Sequence, residues 1–203
     1  MVIFSITKIL KTNSLNKLMS DIEYIPLDLS RAEKIVSFCD RTIGDNYYST
    51  DDIGDIYRRS ILGGRNCSFL AICDLEIVGI RFSYAPNCWL DLPLAVTPDK
   101  WNVEKPKVAY FKSLFIDPSF QCRGIGKSLS SMSIEMMKEM GARAIVCHSW
   151  LESPGSSSLK YLKSMGFSKV ASHPKFWHHI DYQCVRCKPE KCVCTAIEMI
   201  LSL

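Results

Sequence analysis

The sequence predicts an α/β (α+β) fold, a mixed sheet with helices on both faces, on three observations. Apolar repeats of two and of three to four alternate along the chain in the order strand, two helices, three strands, helix, strand, helix, two strands. Between residues 107 and 141 a strand-like run breaks at a proline, enters a glycine-bearing loop and opens a long helix. At 203 residues, 47% of them hydrophobic and 23% charged, the chain has the material for one sizeable core and is neither low-complexity nor disordered.

Residues 1–20 precede the regular pattern and are expected to be a flexible extension, leaving residues 21–203 as a single domain. IEYIPL reads as a short strand, and Ser30-x-x-Glu33 as a capping box opening an amphipathic helix to about Thr42. A second helix starts near Ser49, Thr50, Asp51 and Asp52 and stops at Gly63-Gly64, read as its C-terminal signal. CSFLAIC and IVGIRFSY flank the polar turn Asp74-Leu75-Glu76, an antiparallel hairpin. Residues 85–106 hold Trp89, Leu90, Leu92 and Trp101 with no element apparent, either a packed excursion or a lid. KVAYFKSLFIDP is a strand ended by Pro118. In the next helix Leu129, Met132, Met136 and Met140 form an apolar face, closed by Gly141. ARAIVCHSW reads as a buried strand, Ser153-Pro154 opens another helix that Gly166 closes, and a strand pair is expected near FWHHIDYQC and VCTAIEMIL.

Three of the four excess positive charges lie in residues 1–20, on Lys8, Lys11 and Lys17, so the remainder is nearly neutral. Nucleic-acid binding needs clustered cations, and that class is disfavoured. No apolar run reaches the roughly 18 residues of a membrane span, and no secretory signal is legible, so a soluble cytoplasmic protein with no membrane partner is expected.

Gln121-x-x-Gly124-x-Gly126 between a strand and a helix is a device for holding an anion: glycines admit a close backbone approach, and helix-terminal N–H groups meet phosphate oxygens. A tight turn serving only helix packing would read the same way. The spacing is neither a dinucleotide-binding fingerprint nor a phosphate loop.

LFIDPSF followed by QCRGIG and a long helix, with KYLKSMGF further on, resembles the GNAT superfamily of acyl-coenzyme A-dependent N-acetyltransferases, over nearly the whole chain. The resemblance implies a mostly antiparallel sheet of about seven strands, splayed between the fourth and fifth. It implies acetyl-coenzyme A as cosubstrate, its pyrophosphate on the backbone of Gln121, Cys122, Arg123, Gly124, Ile125, Gly126 and Lys127. Its pantetheine arm would run along Leu114, Phe115 and Ile116, whose backbone would polarise the thioester carbonyl, with Ser156 and Ser157 as further contacts. The partners implied are acetyl-coenzyme A and an amine on a small molecule, peptide or protein.

Transfer to an amine of pKa about 10.4 needs a proton acceptor. The family's frequent carboxylate position on the central strand holds Tyr110, and its frequent acid tyrosine position holds Leu162, next to Tyr161. The remaining candidates are His148 and Glu152 as base and Tyr161 as acid. A histidine on an apolar strand is also a common core residue, and Glu152 reads equally as a solvated loop acid.

Of ten cysteines, Cys184, Cys187, Cys192 and Cys194 lie within eleven residues around a Lys188-Pro189-Glu190-Lys191 turn. In a reducing compartment such a cluster points to metal before disulfides. A structural zinc on four thiolates is expected at 184–194 between the last two strands, with free or redox-active thiols and an iron–sulfur cluster as alternatives. His173, His178 and His179 lie close enough to replace one thiolate. Competing with an acetyltransferase are a non-catalytic acyl-coenzyme A-binding module stapled by zinc and a zinc module docking a partner. Tyr47, Tyr48, the tryptophan loop and the terminal hairpin are expected to shape the acceptor site.

Overall fold

The computed structural model describes residues 21–203 except 43, 45, 46, 181–183 and 185, so the predicted extension at 1–20 lies outside the described residues. The chain opens with β1 (Glu23–Pro26), then a 3-10 turn (Leu29–Arg31) leading into α1 (Ala32–Thr42). The cap here is Asp28, whose carboxylate accepts the Ser30 N–H at 3.0 Å. Ser30 already lies inside the turn, so the expected Ser30/Glu33 box does not form. The second helix, α2 (Thr50–Ser60), does carry a capping box: Ser49 Oγ accepts from Asp52 N, and the Asp52 carboxylate accepts from Ser49 N at 2.8 Å. Gly63-Gly64 turns a two-residue ribbon, β2 (Ile61–Leu62) with β3 (Arg65–Asn66), and α2 has ended before it.

The hairpin of β4 (Phe69–Cys73) and β5 (Glu76–Tyr84) turns through Asp74-Leu75, both with positive φ (50° and 67°), as predicted. The 85–107 connection is packed: Trp89 and Trp101 are buried, and Trp89 Nε1 donates to Val108 O at 2.9 Å. There follow β6 (Val108–Ile116), α3 (Ile125–Glu139), β7 (Ala144–Trp150), α4 (Ser157–Ser164), β8 (Ser168–His173) and β9 (Ala196–Ser202). The penultimate strand is thus SKVASH. The expected strand at FWHHIDYQC falls partly on undescribed residues, and its described part, 176–180, is turn.

The sheet order is β1-β4-β5-β6-β7-β9-β8, antiparallel throughout except for the parallel β6–β7 pair. That pair holds only between 108–111 and 144–147. Beyond it β6 continues on β5 and β7 on β9, so the two strands part and the sheet opens. One face is covered by α1, α2 and the tryptophan loop, around Ile35, Phe38, Ile53, Phe82, Trp89 and Tyr110. The other is covered by α3 and α4, around Phe111, Leu129, Met137, Ile145, Leu162 and Phe167. Each such burial stabilises by about 1.5–3 kcal/mol, and the opened sheet lies between the two cores. Among the described residues no helix is long and apolar enough to cross a membrane.

Candidate active site

After β6, Asp117 and Pro118 turn the chain, the Asp117 carboxylate accepting the Ser119 N–H at 2.9 Å. Gly124 then sits at φ +82° as the N-cap of α3, a conformation side chains rarely adopt, and brings no capping side chain. The first bond along the helix is Ser128 N to Gly124 O at 3.0 Å. The N–H groups before it open from the N-terminus of a 15-residue helix, where the dipole favours an anion. Gly79 lets this end lie close to the sheet: a Cβ there would come within 2.9 Å of Ile116 Cδ1 and 3.2 Å of Ile125 and Leu129.

A cavity of about 780 Å³ fills the opening between β6 and β7 and reaches this helix end. It is lined by Leu114, Phe115 and Ile116 on β6, by Gln121, Cys122, Gly124, Ile125, Gly126 and Lys127, and by Ser157 and Ser158 at the start of α4. Ten of the twelve residues expected along the acyl carrier thus meet in one cavity. The two that do not line it are Arg123, whose guanidinium donates to Ser119 O at 3.0 Å and lies over Phe120, and Ser156. Arg81, fully buried, donates to Ser130 Oγ at 2.7 Å and lies 4.0 Å over the Phe111 ring. The Tyr161 hydroxyl lies within donating distance of both Ser130 Oγ (2.7 Å) and Gly126 O (2.8 Å). Tyr161 therefore lines the cavity with its hydroxyl tied to the glycine loop.

His148 lines the inner wall. Its Nδ1 is 3.0 Å from Tyr110 Oη, its ring stacks on Phe176 at 4.3 Å, and its buried Nε2 has no hydrogen-bond partner. Burial lowers its pKa to about 4, against the pull of Glu198, so the imidazole is neutral at pH 7. Glu198 Oε2 lies 3.9 Å from that Nε2. The Glu198 carboxylate is fully buried yet held below its usual pKa: burial pushes it up, and bonds from Trp101 Nε1 (2.6 Å), Thr97 Oγ1 (2.7 Å) and His173 Nε2 outweigh this. Glu152 does not line the cavity. Both its oxygens accept the Thr195 N–H, and Arg186 pairs with it at 3.4 Å, so it braces the cysteine segment against the end of β7.

The four thiols of Cys184, Cys187, Cys192 and Cys194 converge, all Sγ atoms within 4.8 Å of one another, with Cys187 and Cys184 at 3.6 and 3.9 Å from Cys194. Four sulfurs each about 2.3 Å from a tetrahedral ion stand about 3.8 Å apart, so the set fits zinc. For Cys184, burial raises the pKa, but the N–H groups of Arg186 and Cys187 prevail and bring it to about 7. Burial pushes Cys194 up to about 12, and a cation among four crowded thiols would reverse that. His178 bonds the Cys192 carbonyl and His173 bonds Glu198, so neither completes the thiol set. The segment reaches the cavity wall through Phe176, whose N–H donates to Cys194 O, and Trp177, which packs on the cysteines.

Sequence reasoning left two partners of His148 without a role. In the sequence, Tyr110 marks only the place of a missing carboxylate. Glu198 had a signal, one acid within the otherwise apolar run AIEMIL, on the β9 position directly paired with His148.

A family model described as the acetyltransferase (GNAT) family matches residues 40–167. An uncharacterised N-acetyltransferase of Methanocaldococcus jannaschii is 34% identical over 68 residues, a match spanning 34% of this chain and 29% of that relative. Among solved structures, Ard1 from Thermoplasma volcanium superposes with a TM-score of 0.64 at 13% identity over 90% of this chain and 97% of its own. The ribosomal-protein-S18-alanine N-acetyltransferase from Escherichia coli gives 0.62 at 13% identity, over 90% and 94%. The yncA acetyltransferase from Salmonella typhimurium, solved with its cofactor acetyl-CoA, gives 0.62 at 16% identity, over 90% and 94%. These solved structures share the fold, and the family model covers more than half of the sequence: the chain belongs to the GNAT family of acetyltransferases.

Proposed function

We propose that the protein is an N-acetyltransferase that moves the acetyl group of acetyl-coenzyme A directly to an amine. The observation that carries this reading is one cavity joining an anion-binding helix end, an unpaired strand edge and a neutral buried histidine. Acetyl-coenzyme A supplies an acyl group activated as a thioester. The helix-end amides of the Gln121–Lys127 loop bind its pyrophosphate. Past Phe111 the β7-facing edge of β6 has no strand partner, so the backbone of residues 114–116 binds the pantetheine arm. An N–H of that edge steadies the oxyanion that develops on the carbonyl, an effect of about 3 kcal/mol.

His148 is the proton acceptor in this reading. In this role Nδ1 carries the ring proton and donates to Tyr110 Oη, so that Nε2 takes the proton of the incoming ammonium and Glu198 stabilises the imidazolium that results. Tyr161 stays the candidate donor to the departing thiolate. The cysteine set would hold a structural zinc, fixing Phe176 against His148 without entering the chemistry.

The test is His148→Gln, read as thiol release with an amine panel beside acetyl-coenzyme A affinity by calorimetry. Loss of about 10²–10⁴-fold in kcat at unchanged affinity is expected. Unchanged kcat would remove His148 from the reaction. Tight cofactor binding by the wild-type protein without turnover of any amine would favour a non-catalytic acyl-coenzyme A-binding module.

A further inference from the structure

β6 carries one charged side chain, Lys112, and its placement is unusual. Phe82 pairs with Ser113 and Ser83 with Phe111, so Lys112 is the extra residue of a bulge. Bulges re-aim side chains. This one turns Lys112 to the face of Ser113, whose hydroxyl lies 3.2 Å from Tyr48 Oη. Lys112 Nζ sits 5.5 Å from the Tyr48 ring centre and 5.7 Å from that of Tyr84, and Lys112 is among the residues that line the cavity. Tyr84 in turn stacks on Tyr110, the partner of His148, so Lys112 and His148 share the α1/α2 face of the sheet.

Among the described residues no carboxylate pairs with this lysine and no acceptor bonds it. The acids that face it, Asp52 and Asp55 on α2, are committed elsewhere. Asp52 caps its helix, accepting from Ser49 N and Oγ at 2.8 and 2.7 Å. Asp55 is held by Arg58 at 3.3 Å and Arg59 at 2.8 Å. Arg59, the neighbouring cation, is clamped by Asp91 at 2.6 and 2.8 Å. Burial accordingly draws the Lys112 pKa below its usual value, against the weaker pull of Asp52 and Asp55. A largely buried cation between two tyrosines is costly unless something supplies the counter-charge.

We propose that the acceptor supplies it: Lys112 anchors a carboxylate on the acceptor while the acceptor's amine lies at His148. The substrate class is then amino acids and carboxylated amines, not polyamines. The inference rests on the acetyltransferase reading above. One ammonium at this position suits a monoanionic carboxylate better than a phosphate dianion.

The experiment compares thiol release for matched pairs, L-tyrosine with tyramine, L-lysine with cadaverine and L-glutamate with 4-aminobutyrate, plus O-phosphoethanolamine. In at least one of the first two pairs the carboxylated member is expected to have a kcat/KM about tenfold or more above its partner. Lys112→Met should collapse that ratio through KM, and Lys112→Arg should restore part of it. Preference for tyramine, cadaverine or O-phosphoethanolamine over the carboxylated amines overturns the proposal, as does a ratio that Lys112→Met leaves intact. Acetylation of Lys112 itself on incubation with acetyl-coenzyme A, seen by peptide mass, would make it an acceptor and also overturn it. Should no amine release thiol, the carboxylated amines are titrated into the coenzyme A-bound protein. Heat that Lys112→Met abolishes keeps the anchor and removes only the catalytic reading. No heat removes the anchor.

Discussion

The reactivity ascribed to His148 comes from its surroundings. A histidine in water is half protonated near pH 6.5, whereas this one, stacked on Phe176 and out of water, stays neutral down to about pH 4. The same shift makes it a stability liability in acid. Its pKa is depressed on folding, so the unfolded chain takes up the proton first. Stability is intact above about pH 6.5 and falls as the pH drops toward 4, by a few kcal/mol at most. Glu198, whose folded pKa is also lowered, adds a further loss below its ordinary range. Denaturant melts of the wild-type protein across this window should show the decline, and His148→Gln should flatten its upper part. A pH-independent midpoint would contradict the burial. Gly124 acts through its backbone: a Cβ built there meets nothing within 4 Å, but φ is +82°. Gly124→Val should therefore cost about 1–2 kcal/mol of strain and crowd the helix-end amides. We expect acetyl-coenzyme A affinity to fall about tenfold or more while the fold survives, and unchanged affinity would refute the pyrophosphate placement.

Among elements, Phe176 and Trp177, between β8 and β9, link the metal candidate to His148. Phe176 stacks on His148, its N–H bonds Cys194 O, and Thr195 N bonds Glu152 at the end of β7. Chelation, or Cys187→Ser, should lower Tm by about 5 °C or more and release this wall. An unchanged Tm with the metal demonstrably removed would leave the thiols without a structural role. This region also marks the limit of what the sequence made legible. The strands of the sheet centre announce themselves because they are buried on both faces, as FLAIC and AIVC are. By contrast β8 is an edge strand, SKVASH, mostly polar and half exposed, and carries no such signal. The aromatic run after it looked like a strand because Phe176 and Trp177 are large and apolar, but they cover His148 and the cysteines instead of pairing. Likewise Gly63-Gly64 signals a chain reversal without saying whether a helix or a ribbon is being reversed.

At the scale of the molecule, the site exists because a mostly antiparallel sheet contains one parallel pair that closes over only four residues of each strand. The glycine loop and its helix were readable as a local motif. The surroundings of His148 were not, because Tyr110 and Glu198, with the Thr97, Trp101 and His173 that hold Glu198, come from four separate stretches that only the sheet order brings together. The opening between β6 and β7 then joins the helix end, the proposed anion site, to His148, the proposed proton acceptor. The measurement that tests this most directly is calorimetric titration of the purified protein with acetyl-coenzyme A, followed by thiol release on adding amines. The account predicts saturable binding of one equivalent and amine-dependent release. Absence of any binding heat would contradict it, leaving the glycine loop as a turn and the cavity without its ligand.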